Sequence, residues 1–259
     1  MYLKSYKILG VEVHPATIED LNNLVIESIK KNAQYIILSQ NLHSVYLYYK
    51  NEKLRAFNNY TFKRIDGMPL IILGKLLGYP LNKNQRVTWV DYMLPFLQTI
   101  NNNNFKLFYL GSEPNTATKF NTFIKNKFPG IKLKHAHGFF NKNKDSLENT
   151  KLLKQISDYQ PDALLVGMGM PIQEHWIYDN FKEINAKVIL TCGAAVEYFT
   201  GKVSTPPRWM GKAGLEWLYR LSENPKRFWK RYCIEPWYLT PLIIKDLLKK
   251  FFILNTYKN

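Results

Sequence analysis

The sequence predicts an α/β protein with a mostly parallel sheet flanked by helices, plus a helical appendage at the C-terminal end. Short apolar, β-rich runs alternate with segments of helical periodicity as far as Gly201. Beyond Gly201 the alternation stops and only helical patterns remain. Continuous apolar strands that alternate with helices are typical of a parallel sheet covered on both faces.

The apolar runs are the predicted strands: Tyr35–Ser39, Lys106–Gly111, Asp162–Gly169 and Lys187–Gly193. The segments with helical periodicity are predicted helices, among them Thr17–Lys31, Pro114–Lys127 and Thr150–Tyr159. The strands end in Gly, Ser or Asn, and ligands of open α/β sheets bind outside the carboxyl ends of strands. The arrangement is Rossmann-like, and the loops after these strands are where a site is expected.

Residues 1–201 are expected to form an α/β catalytic domain, and residues 202–259 a basic, aromatic, helical appendage. The first helix of the appendage is predicted at Ala213–Ser222. Pro225 can open a second helix, because the N–H that proline lacks has no helical partner in the first turn. A third helix is predicted at Leu239–Leu254.

The positive charge of the chain is unevenly distributed. The net charge is +16, and residues 202–259 carry twelve Lys or Arg against four Asp or Glu, a net of +8. Four of the six tryptophans lie in the same segment, namely Trp209, Trp217, Trp229 and Trp237. Cations beside amphipathic rings favour an anionic membrane surface as a partner. The alternative is a solvated basic face whose aromatic side chains pack on the core.

Cysteine content and hydropathy indicate the compartment. Cys192 and Cys233 have no metal-ligand spacing and are too few for a disulfide framework, which fits a reducing cytosol. The N-terminal residues lack the apolar region and cleavage site of a signal peptide. No run of about 18 apolar residues occurs, so a spanning helix is not expected. We therefore expect a cytoplasmic protein, peripheral on the inner face of the cell membrane.

The third predicted strand ends in Gly167-Met168-Gly169, and Pro171 stands where a helix would begin. Backbone N–H groups at such a helix start can hold a phosphate or a polar ligand. Gln173 and Glu174 follow in the first turn, where Glu also complements the helix dipole. This segment lacks the third Gly of the dinucleotide fingerprint, and a simple tight turn is the alternative.

Asp66 stands between Arg64-Ile65 and the apolar segment Leu70–Leu77. An Asp at such a boundary is commonly a helix N-cap or a turn residue. The functional interpretation is a general base, which accepts the proton of an attacking hydroxyl as the new bond forms. The local sequence leaves both interpretations open.

Cations of the appendage are candidates for phosphate contacts. Arg220 and Arg227 are seven residues apart and point in nearly the same direction if the helix is continuous, with Lys230 and Arg231 one turn further on. Pro225 can break that continuity. Arginine is suited to bidentate contacts with phosphate, so the row could serve a pyrophosphate or lipid headgroups.

The sequence favours neither a metal nor a cofactor. His135 and His137 lie two apart on a predicted strand without a third ligand at useful spacing. An Asp-x-Asp pair of the kind that holds a divalent ion on a nucleotide diphosphate is also missing. The charge of a departing diphosphate would then be met by Arg, Lys or helix dipoles.

These segments together resemble the WecG/TagA/CpsF glycosyltransferase family, which includes the N-acetylmannosaminyltransferases of wall teichoic acid and enterobacterial common antigen synthesis. The similarity covers almost the whole chain, and its most specific parts are residues 166–176 and 214–221. The other matches are Ser39-Gln40-Asn41, Asp66-Gly67-Met68-Pro69, Arg86-Val87-Thr88, Leu110-Gly111, Gly201, Pro207, Trp209, Pro225 and Arg227.

The resemblance implies an inverting, metal-independent transfer of a sugar from a nucleotide diphosphate, typically UDP, to an undecaprenyl-diphosphate-linked sugar. It implies that Asp66 is the general base and that Ser39 and Asn41 orient the donor or acceptor sugar. It also assigns Gln173, with residues 167–169, to the substrate pocket.

By the same resemblance Arg220, Arg227 and Lys230 belong to a mobile appendage that completes the active site and contacts a diphosphate. Arg86 is a further candidate for stabilising the departing diphosphate. Gly111 and Glu174 lie in matching segments and are also assigned to substrate binding. A homo-oligomer is left open.

The sequence departs from the family pattern at several positions. Trp89 stands where many members have Gly, and Glu197 where Asp is usual. Thr205-Pro206-Pro207 replaces a common Arg-Ala-Pro. The reaction class is therefore expected to carry over, whereas the donor, whether UDP-N-acetylmannosamine-like or a UDP-hexose, is not fixed by the resemblance.

Two other classes of protein compete with this prediction. A nonenzymatic RNA-binding or anionic-lipid-binding protein would explain the charge and the aromatic residues, but no RNA-binding module is recognisable, and nucleic acid is not an expected partner. A nicotinamide-dependent enzyme would need an intact Gly-x-Gly-x-x-Gly after an early strand, which the chain lacks.

Overall fold

The computed structural model describes residues 4–256. Its strands are β1 (Tyr6–Ile8), β2 (Val11–Val13), β3 (Tyr35–Gln40), β4 (Phe62–Ile65), β5 (Lys106–Gly111), β6 (Lys132–Ala136), β7 (Ala163–Gly167) and β8 (Val188–Thr191). Strands β1 and β2 pair as an antiparallel hairpin, and the other six form a parallel sheet in the order β4-β3-β8-β7-β5-β6. The predicted Rossmann-like α/β architecture is confirmed.

Helices cover both faces of the sheet and make up the described C-terminal part. They are α1 (Ile18–Lys30), α2 (Leu42–Lys50), α3 (Glu52–Asn58), α4 (Met68–Leu76), α5 (Trp89–Asn102), α6 (Pro114–Lys127), α7 (Leu147–Tyr159), α8 (Ile172–Asn180), α9 (Ala195–Phe199), α10 (Arg208–Ala213), α11 (Glu216–Glu223), α12 (Pro225–Trp229) and α13 (Glu235–Thr256). A 3-10 turn spans Lys83–Gln85, and a π-helical turn spans Lys230–Ile234.

Each face of the sheet has its own apolar cluster. Strand β5 shows why, because its side chains alternate: Leu107 and Tyr109 join one cluster, and Phe108 and Leu110 join the other. The first cluster is covered by α1, α5 and α6, and the second by α7 and α8. Burial on both faces explains the continuous apolar runs of the central strands.

Helix α13 is attached to the rest of the protein along one side. Leu239 is fully buried in a third apolar cluster, formed with the β1–β2 hairpin and α4, and Leu242 packs against it. The carboxylate of Asp246 accepts a hydrogen bond from the backbone N–H of Leu9 at 2.8 Å. These contacts make α13 part of the folded core. No helix within residues 4–256 combines the length and the apolar character that crossing a membrane requires.

Two predictions about the C-terminal helices are corrected by the structure. The helix predicted at Ala213–Ser222 is α11, which begins only at Glu216, because Gly214 ends the preceding α10 in the left-handed conformation with φ of +76°. The helix predicted to begin at Leu239 begins at Glu235. A further break at Asn224 separates α11 from α12.

Strand β4 escapes prediction because its two central residues are charged. Lys63 and Arg64 are each only 1% exposed. The Lys63 ammonium donates hydrogen bonds to the backbone carbonyls of Asn58 at 2.6 Å and Thr61 at 2.9 Å. These bonds replace hydration, so a charged side chain is tolerated in a buried strand.

Candidate active site

A cavity of about 420 Å³ lies at the carboxyl ends of β3, β4, β7 and β8. The strand ends contribute Ser39, Asn41, Asp66, Gly169 and Gly193 to its wall. Helices α11 and α12 and the π-helical turn supply the opposite wall, which carries the cations Arg220, Arg227, Lys230 and Arg231. We call this space the large cavity.

A second space of about 140 Å³, the small cavity, adjoins the large one. Apolar and aromatic side chains from α2, α4 and the C-terminal helices line it, among them Leu42, Met68, Trp217 and Pro236. Six residues line both cavities and form a shared wall: Asn41, His43, Asp66, Arg220, Arg231 and Glu235. Asp66 therefore lies where the two spaces meet.

The position of Asp66 follows from the pairing of β3 with β4. Because the strands are parallel neighbours, their ends bring Asn41 beside Asp66. The Asn41 amide donates to the Asp66 carboxylate at 3.4 Å, while its carbonyl oxygen accepts from the Ser44 N–H and caps α2. Asp66 does not cap α4, since Gly67 holds that position. The carboxylate is 26% exposed and available to a ligand.

Ser39 is held by a buried arginine that the sequence did not mark as a site residue. The Arg64 guanidinium donates to the Ser39 hydroxyl at 2.7 Å and to the backbone carbonyl of Val87. Its carbon Cζ lies 5.2 Å from the centre of the Trp89 ring, and the Trp89 indole N–H donates to the carbonyl of Thr191 at 2.6 Å. The hydroxyl is thereby fixed in the wall of the large cavity.

Gln173 connects two of the loops that form this wall. Its side-chain carbonyl accepts hydrogen bonds from the backbone N–H groups of Gly169 at 3.2 Å and Gly193 at 3.1 Å. Both glycines have positive φ, +81° and +56°, and the space where a Cβ would stand is open. Only glycine adopts this backbone conformation readily, and its small size leaves the cavity free.

Three residues assigned to substrate binding lie elsewhere. Gly111 and Gly167 pack against each other, and a Cβ on Gly111 would meet the backbone carbonyl of Gly167. Neither belongs to the described lining of the two cavities. Glu174 lines a separate space of about 30 Å³ behind Ser39. The two glycines thus allow close packing of β5 against β7, and Glu174 has no direct access to the large cavity.

The appendage cations converge although their helix is interrupted. Arg220 belongs to α11 and Arg227 to α12, yet both line the large cavity with Lys230. Arg231, which follows Lys230 in the predicted row of cations, lies in the shared wall. Within the described residues the Arg220 Nε has no hydrogen-bond partner although it is buried. A buried guanidinium donor without a partner is suited to an anionic ligand.

Arg86 and His43 join the C-terminal helices to the sheet. Arg86 forms ion pairs with Glu216 of α11 at 3.2 Å and with Asp91 at 3.5 Å. Its side chain is 9% exposed and borders only the small cavity. The contacts of Arg86 join α11 to α5, whereas the sequence predicted a contact with the departing diphosphate. The His43 Nδ1 lies 2.7 Å from a carboxylate oxygen of Glu235 in the shared wall.

Over residues 4–256 the structure brings together no group of three His, Cys, Asp or Glu side chains that could hold a metal ion. His135 belongs to β6, whereas His137 follows the end of that strand.

Burial raises the pKa of the Glu174 carboxyl to about 7. The ordinary pKa of this carboxyl is 4.5. Between pH 4.5 and about 7 the folded protein therefore keeps a proton on Glu174, whereas the unfolded chain has released it. The resulting stabilisation is complete below the unfolded pKa and is lost as the pH rises through the folded pKa. We expect wild type to lose about 3 kcal/mol relative to Glu174→Gln between pH 4.5 and 8, measured by urea unfolding. Parallel pH profiles would contradict this expectation.

The fold and the site together define a class of protein: an α/β protein whose large cavity is lined by arginines and whose Asp66 carboxylate stands between two cavities. A family model described as "Glycosyl transferase WecG/TagA/CpsF family" matches residues 6–251. The chain therefore belongs to this family, and it is a glycosyltransferase. The predicted family and enzyme class are confirmed.

Named relatives agree with this membership. The chain is 25% identical over 219 residues to an N-acetylglucosaminyldiphosphoundecaprenol N-acetyl-beta-D-mannosaminyltransferase of Staphylococcus aureus strain MRSA252, covering 80% of this chain and 84% of the relative. A protein of the same name from strain MW2 is 24% identical with the same coverage.

Proposed function

We propose that the enzyme transfers a sugar, with inversion and without a metal ion, from a UDP-sugar to a polyprenyl-diphosphate-linked sugar in bacterial cell-surface polysaccharide synthesis. The observation that carries the proposal is the position of Asp66 between the large and small cavities. The names of the relatives, which specify a diphosphoundecaprenol-linked N-acetylglucosamine and a mannosaminyl group, support it. N-acetylmannosamine or a hexose is the donor sugar we propose.

In the proposed reaction the donor occupies the large cavity and the acceptor sugar the small one. The Asp66 carboxylate accepts the proton of the acceptor hydroxyl while the hydroxyl oxygen attacks the anomeric carbon. The bond to the nucleotide diphosphate breaks on the opposite side of that carbon, which inverts its configuration. Ser39 and Asn41 hold the sugar hydroxyls, since both side chains face the large cavity beside Asp66.

The departing diphosphate gains negative charge as its bond to the sugar breaks. Arg220, Arg227, Lys230 and Arg231 line the large cavity and can meet this charge without a metal ion. The unpartnered Nε of Arg220 supplies a donor that is already desolvated. Fixed donors of this kind stabilise a transition state more than water does, because they need no reorganisation.

Arg220 is expected to increase kcat both through its positive charge and through the planar arrangement of its hydrogen-bond donors. Arg220→Ala should lower kcat about 10²-fold, the usual effect of removing one stabilising donor. Arg220→Lys should recover only part of the loss, because an ammonium lacks the planar fork. Initial rates of UDP release would measure both. Arg55→Ala, on the exposed face of α3, is the matched control, and equal rates for the Lys variant and wild type would contradict the geometric argument.

We also propose that residues 202–259 act as an appendage that brings the enzyme to an anionic membrane surface on the cytoplasmic side. Opposite its buried side, α13 exposes Trp237, Pro241, Ile244, Leu248 and Phe251. Their spacing of four, three, four and three residues places them along one helical stripe. Apolar side chains beside lysines are the composition of helices that rest in the headgroup region.

The stripe gives a direct binding prediction. Replacing Trp237, Ile244 and Leu248 together with serine should weaken binding to phosphatidylglycerol-containing vesicles at least about tenfold, because buried apolar area is lost from the lipid contact. Vesicle sedimentation measures the effect. The matched control replaces three exposed apolar residues outside the C-terminal helices, Tyr60, Phe139 and Leu147. Equal losses in the two triple variants would count against a membrane role for the stripe.

The test of the proposed reaction is a panel of UDP- and GDP-sugars with a synthetic polyprenyl-diphosphate-linked N-acetylglucosamine, followed by mass spectrometry. We expect a disaccharide product with one UDP-sugar, at a rate that EDTA does not change. Nuclear magnetic resonance of the product would give the anomeric configuration. Product formation that strictly requires a divalent ion, or retention of configuration, would overturn the proposed mechanism.

A further inference from the structure

Two loops at the donor side of the large cavity depend on a single side-chain oxygen. The Gln173 Oε1 accepts from the N–H groups of Gly169 and Gly193, which follow β7 and β8 respectively. An amide oxygen has two lone pairs, and both are used here. Gln173 itself is 1% exposed, so its amide group depends on partners within the protein.

The arrangement works in only one orientation of the Gln173 amide. If the group were turned over, its NH₂ would face the two backbone N–H donors, and three donors would meet without an acceptor. In the observed orientation the buried NH₂ of Gln173 points away from the two loops and needs an acceptor on that side. Glu174 supplies it, because its Oε1 accepts from the Gln173 Nε2 at 2.7 Å.

The carboxyl group of Glu174 is costly in this place. It is 7% exposed, and the groups that favour its charged form are the Gln173 amide and its own backbone N–H, not a cation. Within the described chain its second oxygen, Oε2, has no hydrogen-bond partner, and neither has the nearby Gln40 Nε2, which borders the same small space. A buried acid without a counter-ion destabilises the fold in its charged form, so the carboxyl group itself adds no stability there.

We infer that Glu174 is a positioning residue: it fixes the amide of Gln173 and, through that amide, the two loops that shape the donor side of the large cavity. The carboxyl serves as an acceptor in both protonation states, because a proton on Oε2 leaves Oε1 free to accept. The assignment of these loops to the donor rests on the proposed function, whereas the coupling from Glu174 to the loops does not.

The test compares Glu174→Leu, which removes the acceptor, with Glu174→Gln, which keeps an acceptor oxygen at the same reach. Hydrogen exchange of peptides containing Gly169 and Gly193, measured by mass spectrometry without substrate, should be about tenfold faster in the Leu variant and close to wild type in the Gln variant. The KM for the UDP-sugar should rise about tenfold in the Leu variant, with kcat and the acceptor KM nearly unchanged.

Asn180→Ala is the matched control, since Asn180 is fully buried on the same helix and bonds to Asn149 and the Trp176 carbonyl instead of the loops. It should lower the melting temperature without changing exchange in the two peptides. If Glu174→Leu does not fold, Glu174→Asp withdraws the acceptor by one methylene and should loosen the same peptides.

Wild-type exchange in the Leu or Asp variants, or the same pattern in Asn180→Ala, would overturn the inference. Faster exchange in both peptides with an unchanged donor KM would instead leave the coupling intact and count against placing the donor beside these loops.

Discussion

Replacing Asp66 with asparagine is expected to lower kcat about 10³-fold, within the range that general bases contribute. The amide has nearly the same shape but cannot accept the proton of the acceptor hydroxyl. Binding of UDP should change less than about twofold, because the cations that meet the diphosphate remain in place. Initial rates and calorimetric titration with UDP would measure the two effects.

Asp158→Asn is the matched control for this variant. Asp158 lies on the exposed surface of α7, where it pairs with Lys154 at 3.0 Å. It lines neither cavity. Its loss should leave transfer unchanged. Wild-type turnover by Asp66→Asn would remove Asp66 from the proposed mechanism, and a matching loss of UDP affinity would indicate a binding role instead.

Ending the chain after Gly201 is expected to abolish both transfer and binding to vesicles. Arg220, Arg231 and Glu235, half of the shared wall, would be removed with the helices that carry them. The described strands and the helices on both faces of the sheet all precede the cut, so the sheet should still fold. Far-ultraviolet circular dichroism, vesicle sedimentation and product assays would test the three parts.

The truncated protein should also be less stable. Leu239 fills the third apolar cluster, and losing one buried leucine typically costs about 2–5 kcal/mol. A full-length Arg220→Ala, Arg231→Ala double variant separates chemistry from folding, because it keeps Leu239 while losing the two cations. It should retain the wild-type melting temperature and lose most of its activity. Full activity of the truncated chain on a lipid-linked acceptor would contradict the role given to the appendage.

Patterns along the chain were sufficient where a residue's role depends on its neighbours in sequence. Strand β5 and helix α6 occupy the predicted residues, since the first is a continuous apolar run and the second begins at a proline. Asp66 and Asn41 could be predicted as residues at the ends of secondary-structure elements. Their contact could not be predicted, because it depends on β4 lying next to β3, and the charged residues of β4 do not resemble a buried strand.

Other parts of the site depend on three-dimensional contacts that leave little trace in the sequence. Arg64 looks like a surface residue until the hydroxyl of Ser39 and the ring of Trp89 are found around it. Gly111 carries the same sequence signal as Gly169, but the first glycine meets a neighbouring strand and the second an open cavity. Spacing alone could not separate these two reasons for glycine.

The short distance along α13 between the active-site wall and the exposed stripe limits how far from a membrane the enzyme can act. Glu235, in the shared wall, and Trp237, at the start of the exposed stripe, are two residues apart on α13. A helix rises 1.5 Å per residue, so only about 3 Å along the axis separate them. If the stripe rests on lipid, α13 acts as a ruler that holds the chemistry at the height of the headgroups. Such an enzyme adds a sugar to an acceptor whose sugars lie next to the lipid diphosphate. It does not act on the end of a long polymer, which lies far from the membrane.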